Sequence, residues 1–415
     1  MEKEYKISII GLGYVGLPLA LAFSEYYKVV GYDINEKRIL DLSKGIDNNF
    51  DVAVKVNSNL IFSNDKSDLK ESNIYIITVP TPVDDKNVPD LSFLKLASEV
   101  VANFLKEDDI VIYESTVYPG VTEDFCVPIL AKISGLPYNV GFYCGYSPER
   151  ISPGAVECNL KNVVKVTSGS TVKTAVIVND LYNKIIKVGT YKAPSIKVAE
   201  AAKVIENTQR DVNISLMNEL AMMFDKMDIN TSEVLNAANS KWNFLDFKPG
   251  LVGGHCIGVD PYYLSHKSEE MGYKPSLLHS ARNINNSVAS FVVDKTIKLM
   301  IDTDKVIKDA SVLVLGYTFK ENCADTRNTK VKDLIAGLES FYCKVSVFDP
   351  YLELSMLSNF ITNPFSKTDK YDAIIVAVSH HEFINYSTSD FVKISNGKLV
   401  LLDLKGIYHN ATWKF

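Results

Sequence analysis

Cys256 stands in Gly253-Gly254-His255-Cys256-Ile257-Gly258-Val259-Asp260-Pro261, a thiol among glycines four residues ahead of a carboxylate. Glycines leave room for a ligand to approach the backbone, and a thiol is the most nucleophilic of the ordinary side chains. The pattern suits attack on a carbonyl carbon. It is also compatible with a small apolar side chain buried in a core, which is what most lone cysteines are.

A second pattern lies far away in the chain. Ile7-Ser8-Ile9-Ile10 leads into Gly11-Leu12-Gly13-Tyr14-Val15-Gly16, and the apolar residues 17–23 follow with helical character. In a dinucleotide-binding fold Gly11 makes the tight turn and Gly13 admits the pyrophosphate. Gly16 lets the helix pack on the strand, with its N-terminus facing the phosphate charge. A second strand, Val29-Val30-Gly31-Tyr32, ends in Asp33, about 20 residues on, where an acid holds a ribose hydroxyl. That carboxylate would repel a 2′-phosphate, which favours NAD over NADP; Arg38 nearby works the other way.

The elements that must position these residues are legible in outline. Apolar strands end at Asp33, at Thr78-Val79-Pro80-Thr81 and at Glu114-Ser115-Thr116. A similar series opens with Ser311-Val312-Leu313-Val314-Leu315-Gly316 and continues with strands ending at Asp349, Ser379 and Asp403. Unbroken apolar runs separated by helical segments are buried parallel strands. The expected fold is therefore α/β, with two doubly wound Rossmann-like domains and ligands beyond the carboxyl ends of both sheets. The second copy lacks G-x-G-x-x-G and need not take a dinucleotide. Between the copies, residues 195–227 contain neither glycine nor proline. They predict one long central helix of about 33 residues, roughly 50 Å, with a face left for a second subunit. Lys203 and Asn207 share a face one turn apart. Lys203 could be a solvated lysine, with Glu200, Glu206 and Arg210 in surface pairs, or a shielded ammonium acting on a bound oxygen.

Composition bounds the alternatives. The 415 residues suggest roughly two or three domains. A net charge of −6 and a pI near 5.7 leave no basic footprint for nucleic acid. Six cysteines without C-x-x-C and six histidines without H-x-x-x-H predict no metal site, and free thiols in a reducing cytoplasm. Lys3, Lys6 and the apolar run 7–23 imitate a secretory leader, but the glycines, Pro18 and the β-branched start predict strand, turn and helix. No later run is long enough for a membrane span.

Taken in order, several motifs resemble the UDP-glucose/GDP-mannose dehydrogenase family of nucleotide-sugar 6-dehydrogenases nearly end to end. They are Gly11-Leu12-Gly13-Tyr14-Val15-Gly16-Leu17-Pro18, Glu114-Ser115-Thr116-Val117, Ser147-Pro148-Glu149-Arg150 and Ala201-Ala202-Lys203 with Glu206-Asn207-Thr208. The Cys256 loop and Phe319-Lys320-Glu321 with Asp325-Thr326-Arg327-Asn328 complete the series. The chain is most similar to the branch acting on UDP-N-acetylhexosamines, which includes enzymes of Vi-type capsule and O-antigen synthesis. The UDP-glucose branch usually has Pro-Lys where Gly258-Val259 stand, and an Arg where Ser240 stands.

The resemblance implies an NAD-binding domain over 1–193, a central helical and dimerisation domain carrying Cys256 over 194–304, and a UDP-sugar-binding domain over 305–415. It implies a cytoplasmic homodimer that takes the C6 alcohol of UDP-GalNAc or UDP-GlcNAc to the carboxylate with two NAD+, for bacterial surface polysaccharide. Cys256 would form a thiohemiacetal and then a thioester. Lys203 and Asn207 would stabilise the oxyanion, Asp260 would orient a water or Lys203, and Glu149 would activate the hydrolytic water. Gly11, Gly13, Tyr14, Val15, Gly16, Asp33, Arg38, Thr81, Thr116 and Arg327 would face NAD. Glu149, Arg150, Lys203, Asn207, Phe247, Gly250, Gly253, Arg282 and Lys320 would face the substrate. UDP-glucose or UDP-ManNAc as substrate, a two-electron β-hydroxyacid dehydrogenase, and a non-catalytic sensor are the competing readings.

Overall fold

The computed structural model describes residues 4–47, 52–149, 160–254, 257–353, 356–365 and 370–415. The chain forms two compact units: Met1–Glu206 with Tyr262–Gly272, and Asn207–Pro261 with Tyr273–Phe415.

In the first unit the β-branched start forms the strand Lys6–Ile10, with Ile7, Ile9 and Ile10 buried. Each such side chain contributes about 1.5–3 kcal/mol when taken fully out of water. Across the sheet the strands are Thr190–Lys192, Lys165–Gly169, Phe142–Tyr146, Asp109–Tyr113, Ile74–Ile77, Lys6–Ile10, Lys28–Tyr32 and Leu60–Ser63. All neighbours run parallel except Phe142–Tyr146 against Lys165–Gly169. Lys6–Ile10 lies between Lys28–Tyr32 and Ile74–Ile77, so the strand order reverses there, the place where such sheets bind ligands. The helix Gly16–Ser24 buries Leu17, Leu19, Ala20, Ala22 and Phe23. It is apolar nearly all round because protein covers it nearly all round. The leader-like run is thus strand, turn and helix, as expected.

The second unit carries a five-stranded sheet in the order Lys344–Phe348, Ser311–Leu315, Ala373–Val376, Leu401–Asp403 and Trp413–Lys414, all parallel. Its helices Ser276–Ile301 and Val331–Ser340 bury Val288, Val292, Leu334 and Leu338 in one core with Val312 and Val314. Both doubly wound sheets match the expectation. The helix predicted over 195–227 runs Ile196–Lys226, 31 residues. Among the described residues no helix is long and apolar enough to cross a membrane.

Candidate active site

The glycine turn is built for a phosphate. Gly11 adopts φ +95° and its N–H donates to the Tyr32 carbonyl at 2.8 Å. A side chain at Gly16 would stand 1.8 Å from the Gly11 carbonyl oxygen, so the helix packs on the turn only because none is there. A side chain at Gly13 would meet nothing within 4 Å. The helix opening at Gly16 has no side-chain cap and no acid in its first turn, which leaves its N-terminal dipole to an anion. Asp33 accepts the Leu12 N–H at 2.8 Å and the Asn35 N–H at 2.9 Å, fixing its carboxylate at the strand end. These residues fit NAD. Arg38 donates to the Leu12 carbonyl at 3.0 Å and pairs with buried Asp47 at 2.6 Å. Its charge is neutralised within the fold, which removes the one group that spoke for a 2′-phosphate. Thr81 and Thr116 come together: the Thr81 hydroxyl donates to the Thr116 carbonyl at 2.7 Å. Tyr14 and Val15 are half-buried in the turn.

Beyond these strand ends the first unit holds charge in its interior. Lys203 is 3% exposed, which sets aside the solvated-lysine alternative. Glu114 is fully buried; Lys165 Nζ lies 2.5 Å from one of its oxygens, and the Tyr182 hydroxyl donates to the other. Burial pushes the Glu114 carboxyl above its ordinary value, while Lys165, Tyr182 and, through space, Lys203 pull it down. Glu149 is half-buried in the loop after Phe142–Tyr146. Glu200, a surface-pair partner under the solvated-lysine alternative, is instead fully buried. It accepts the N–H groups of Gly120 at 2.6 Å and Thr122 at 2.9 Å, and burial raises its pKa to about 7 against those bonds.

In the second unit Asn207 is buried; its amide donates to Asp260 at 2.5 Å and accepts from Arg210. Arg282, expected to face substrate, is buried and paired with Asp211 at 2.5 Å. Asn285 donates to Asp211 at 2.7 Å and accepts from Asn218 at 2.8 Å. Asn218 in turn grips both sides of Gly250, accepting its N–H at 2.7 Å and donating to its carbonyl at 3.1 Å. Arg282 therefore works on the Gly250 loop through this chain of side chains. Two distant motifs meet as well. The Gly254 N–H donates to the Asn328 carbonyl at 3.3 Å, and a side chain at Gly254, φ +84°, would stand 2.6 Å from the Phe319 ring. A pocket there is lined by Gly253, Thr318, Phe319, Lys320, Lys330 and Lys405.

The turn carrying Lys320 is braced from beneath. His380 Nδ1 accepts the Asn322 N–H at 3.0 Å, which puts the ring proton on Nε2, 2.9 Å from Asp349. Asp349 also accepts the Tyr317 and Thr318 N–H groups. Burial would raise the Asp349 carboxyl, but these donors hold it below its ordinary value. Arg327, expected toward the cofactor, is paired with Asp325 at 2.6 Å and half exposed. Phe247 is half-buried and Lys248 exposed. Cys256 and Arg150 lie outside the described residues.

A phosphate-binding glycine turn, an acid at the second strand end and buried lysine and asparagine on one helix define an NAD-dependent dehydrogenase built on two Rossmann-like folds. The chain matches the UDP-glucose/GDP-mannose dehydrogenase family over its NAD binding domain at 5–186, its central domain at 197–287 and its UDP binding domain at 313–410. It belongs to that family and is an NAD-dependent UDP-sugar 6-dehydrogenase. It is 52% identical over 408 residues to UDP-N-acetyl-D-glucosamine 6-dehydrogenase of Salmonella typhi, covering 97% of this chain and 96% of the relative. The enzyme of the same name from Pseudomonas aeruginosa is 50% identical, covering 97% of each chain. Among solved structures, UDP-D-ManNAc dehydrogenase of Pyrococcus horikoshii superposes with a TM-score of 0.89 at 29% identity, over 99% of this chain and 98% of that one.

Proposed function

We propose that the enzyme oxidises C6 of UDP-N-acetylglucosamine from alcohol to carboxylate, a four-electron reaction, as a homodimer in the cytoplasm. The observation that carries the choice of sugar is identity of 50% or more, over nearly the whole chain, to two enzymes so named. The uronic acid product keeps its UDP leaving group, so it suits a glycosyl transfer that builds acidic surface polysaccharide. NAD+, held by the Gly11–Gly13–Gly16 turn, Tyr14, Val15, Asp33, Thr81 and Thr116, supplies a hydride acceptor for each of the two oxidations. Arg327 would serve the same cofactor after leaving Asp325.

The residues divide the remaining chemistry. Loss of the first hydride and of the hydroxyl proton leaves an aldehyde, whose remaining C–H is no hydride donor until a nucleophile adds to the carbon. Cys256 as thiolate adds to C6, giving a thiohemiacetal whose oxygen bears the developing charge. Lys203 and Asn207 stabilise that oxygen, the first as a cation kept out of water where its field is strong. Loss of the second hydride leaves a thioester. Glu149 takes a proton from water, which attacks the thioester carbon and releases the carboxylate and Cys256. Asp260 orients Asn207 directly and, through it, the site of the oxyanion. Arg150, Phe247, Gly250, Gly253 and Lys320 hold the nucleotide sugar, with Arg282 acting through Asn218 and the Gly250 loop.

The test is NADH released per mole of limiting sugar, with UDP-GlcNAc, UDP-GalNAc, UDP-ManNAc and UDP-glucose in turn. Two equivalents from UDP-GlcNAc are expected, and Cys256→Ala should make no uronic acid. One equivalent would overturn the covalent mechanism. Two equivalents from UDP-ManNAc alone would overturn the sugar.

A further inference from the structure

The Glu114–Lys165–Tyr182 cluster has no part in the chemistry so far. All three side chains are almost wholly buried, and the Lys165 ammonium also lies 5.2 Å from the Tyr182 ring centre. Packing does not explain it, since apolar residues of similar volume usually serve a core at least as well as a buried ion pair. The second hydrogen bond of Lys165 does: Nζ donates at 3.0 Å to the carbonyl of Pro148, the residue before Glu149. Proline has no N–H, so that carbonyl is its only backbone handle. Ser147 is held on the other side, its N–H on the Tyr113 carbonyl at 3.0 Å and its hydroxyl on Val166 at 2.8 Å. The peptide leading into Glu149 is thus tied three times to two strands, Asp109–Tyr113 and Lys165–Gly169, and its last tie is an ammonium aimed by a carboxylate and a phenol.

We propose that Lys165, oriented by Glu114 and Tyr182, is a positioning residue that sets where the Glu149 carboxylate stands and thereby governs thioester hydrolysis. This rests on the role given to Glu149 above. The double variant Lys165→Met/Glu114→Gln removes both charges together, so neither is left buried alone. It should behave as Glu149→Gln does. Both oxidations run in the first turnover, a covalent sugar adduct builds up on the enzyme by intact-mass measurement, and kcat falls about tenfold or more. KM for UDP-GlcNAc should stay within about threefold. Lys165→Arg, which can still reach a carbonyl, should restore part of the hydrolysis rate.

If Glu149→Gln accumulates the adduct and the double variant turns over like wild type, the positioning role is overturned and the Glu149 assignment survives. If Glu149→Gln itself hydrolyses normally, that assignment falls and the positioning role with it. Lower melting temperature and lower kcat without adduct would mean a merely structural cluster and would also overturn it. Should the double variant not fold, Tyr182→Phe loosens the same aim by deleting one oxygen. Adduct accumulation there supports the proposal, and unchanged hydrolysis overturns it.

Discussion

Asp33 is a residue whose meaning was local and therefore legible. Spacing placed it at the second strand end, and its two backbone donors now fix the carboxylate beside the glycine turn. Asp33→Asn should raise KM for NAD by about 10- to 100-fold, the span of 1.5–3 kcal/mol for hydrogen bonds to a charged group. It should not open the site to NADP, because Arg38 is held by Asp47. Titration of both cofactors decides it, and efficient NADP turnover by the variant would show that Arg38 is available. The partner of Arg38 could not have been read in advance: Asp47 is nine residues on, and the turn of chain between them sets their distance. Lys203 is a similar case. Its neighbours hinted at shielding, but only the packed helix makes it a buried ammonium.

At the scale of the element, the helix Ile196–Lys226 was expected almost to the residue, because absence of glycine and proline and a helical apolar period survive any tertiary context. Its inward face was not. Glu200, Lys203, Asn207, Asp211 and Asn218 recur at three- or four-residue steps, or multiples of them, and all are buried, so a polar stripe lies on the covered side. Such residues would ordinarily mark the wet face, which is why a solvated Lys203 with Glu200 in a surface pair stood as an open alternative. Its pKa of about 7 gives a stability signature. A carboxyl whose folded pKa is raised favours the fold fully below its unfolded value, near 4.5, and that advantage is lost as pH rises through about 7. The swing is roughly 3 kcal/mol at most. The melting temperature of wild type minus that of Glu200→Gln should therefore be larger at pH 5 than at pH 8; a difference constant over that range would refute the raised pKa.

At the scale of the whole molecule, the same helix carries an exposed apolar stripe. Ile205, Leu216 and Met223 are each 44% exposed or more and fall on one line along it, and exposed Met227 follows just past its end. A run of that kind suits a second copy of the chain, in keeping with the homodimer proposed. Leu216→Glu/Met223→Glu should then give a monomer of 46.2 kDa by light scattering, against about twice that for wild type. A wild-type monomer, or a variant that still dimerises, would remove the helix as the interface.

The amino-acid order alone determined the two doubly wound sheets, the glycine turn, the acid beside it and the long helix. Each of these is written in the spacing of near neighbours, where backbone geometry leaves few choices. Tertiary structure alone decided which charges are buried and what they hold. Lys165 reaches Glu114 across 51 positions and Asn218 reaches Gly250 across 32, while Gly254 meets Phe319 and Asn328 from distant parts of the chain. No periodicity records such pairs, because they exist only once the strands and helices that carry them have packed, and desolvation then makes each partner obligatory.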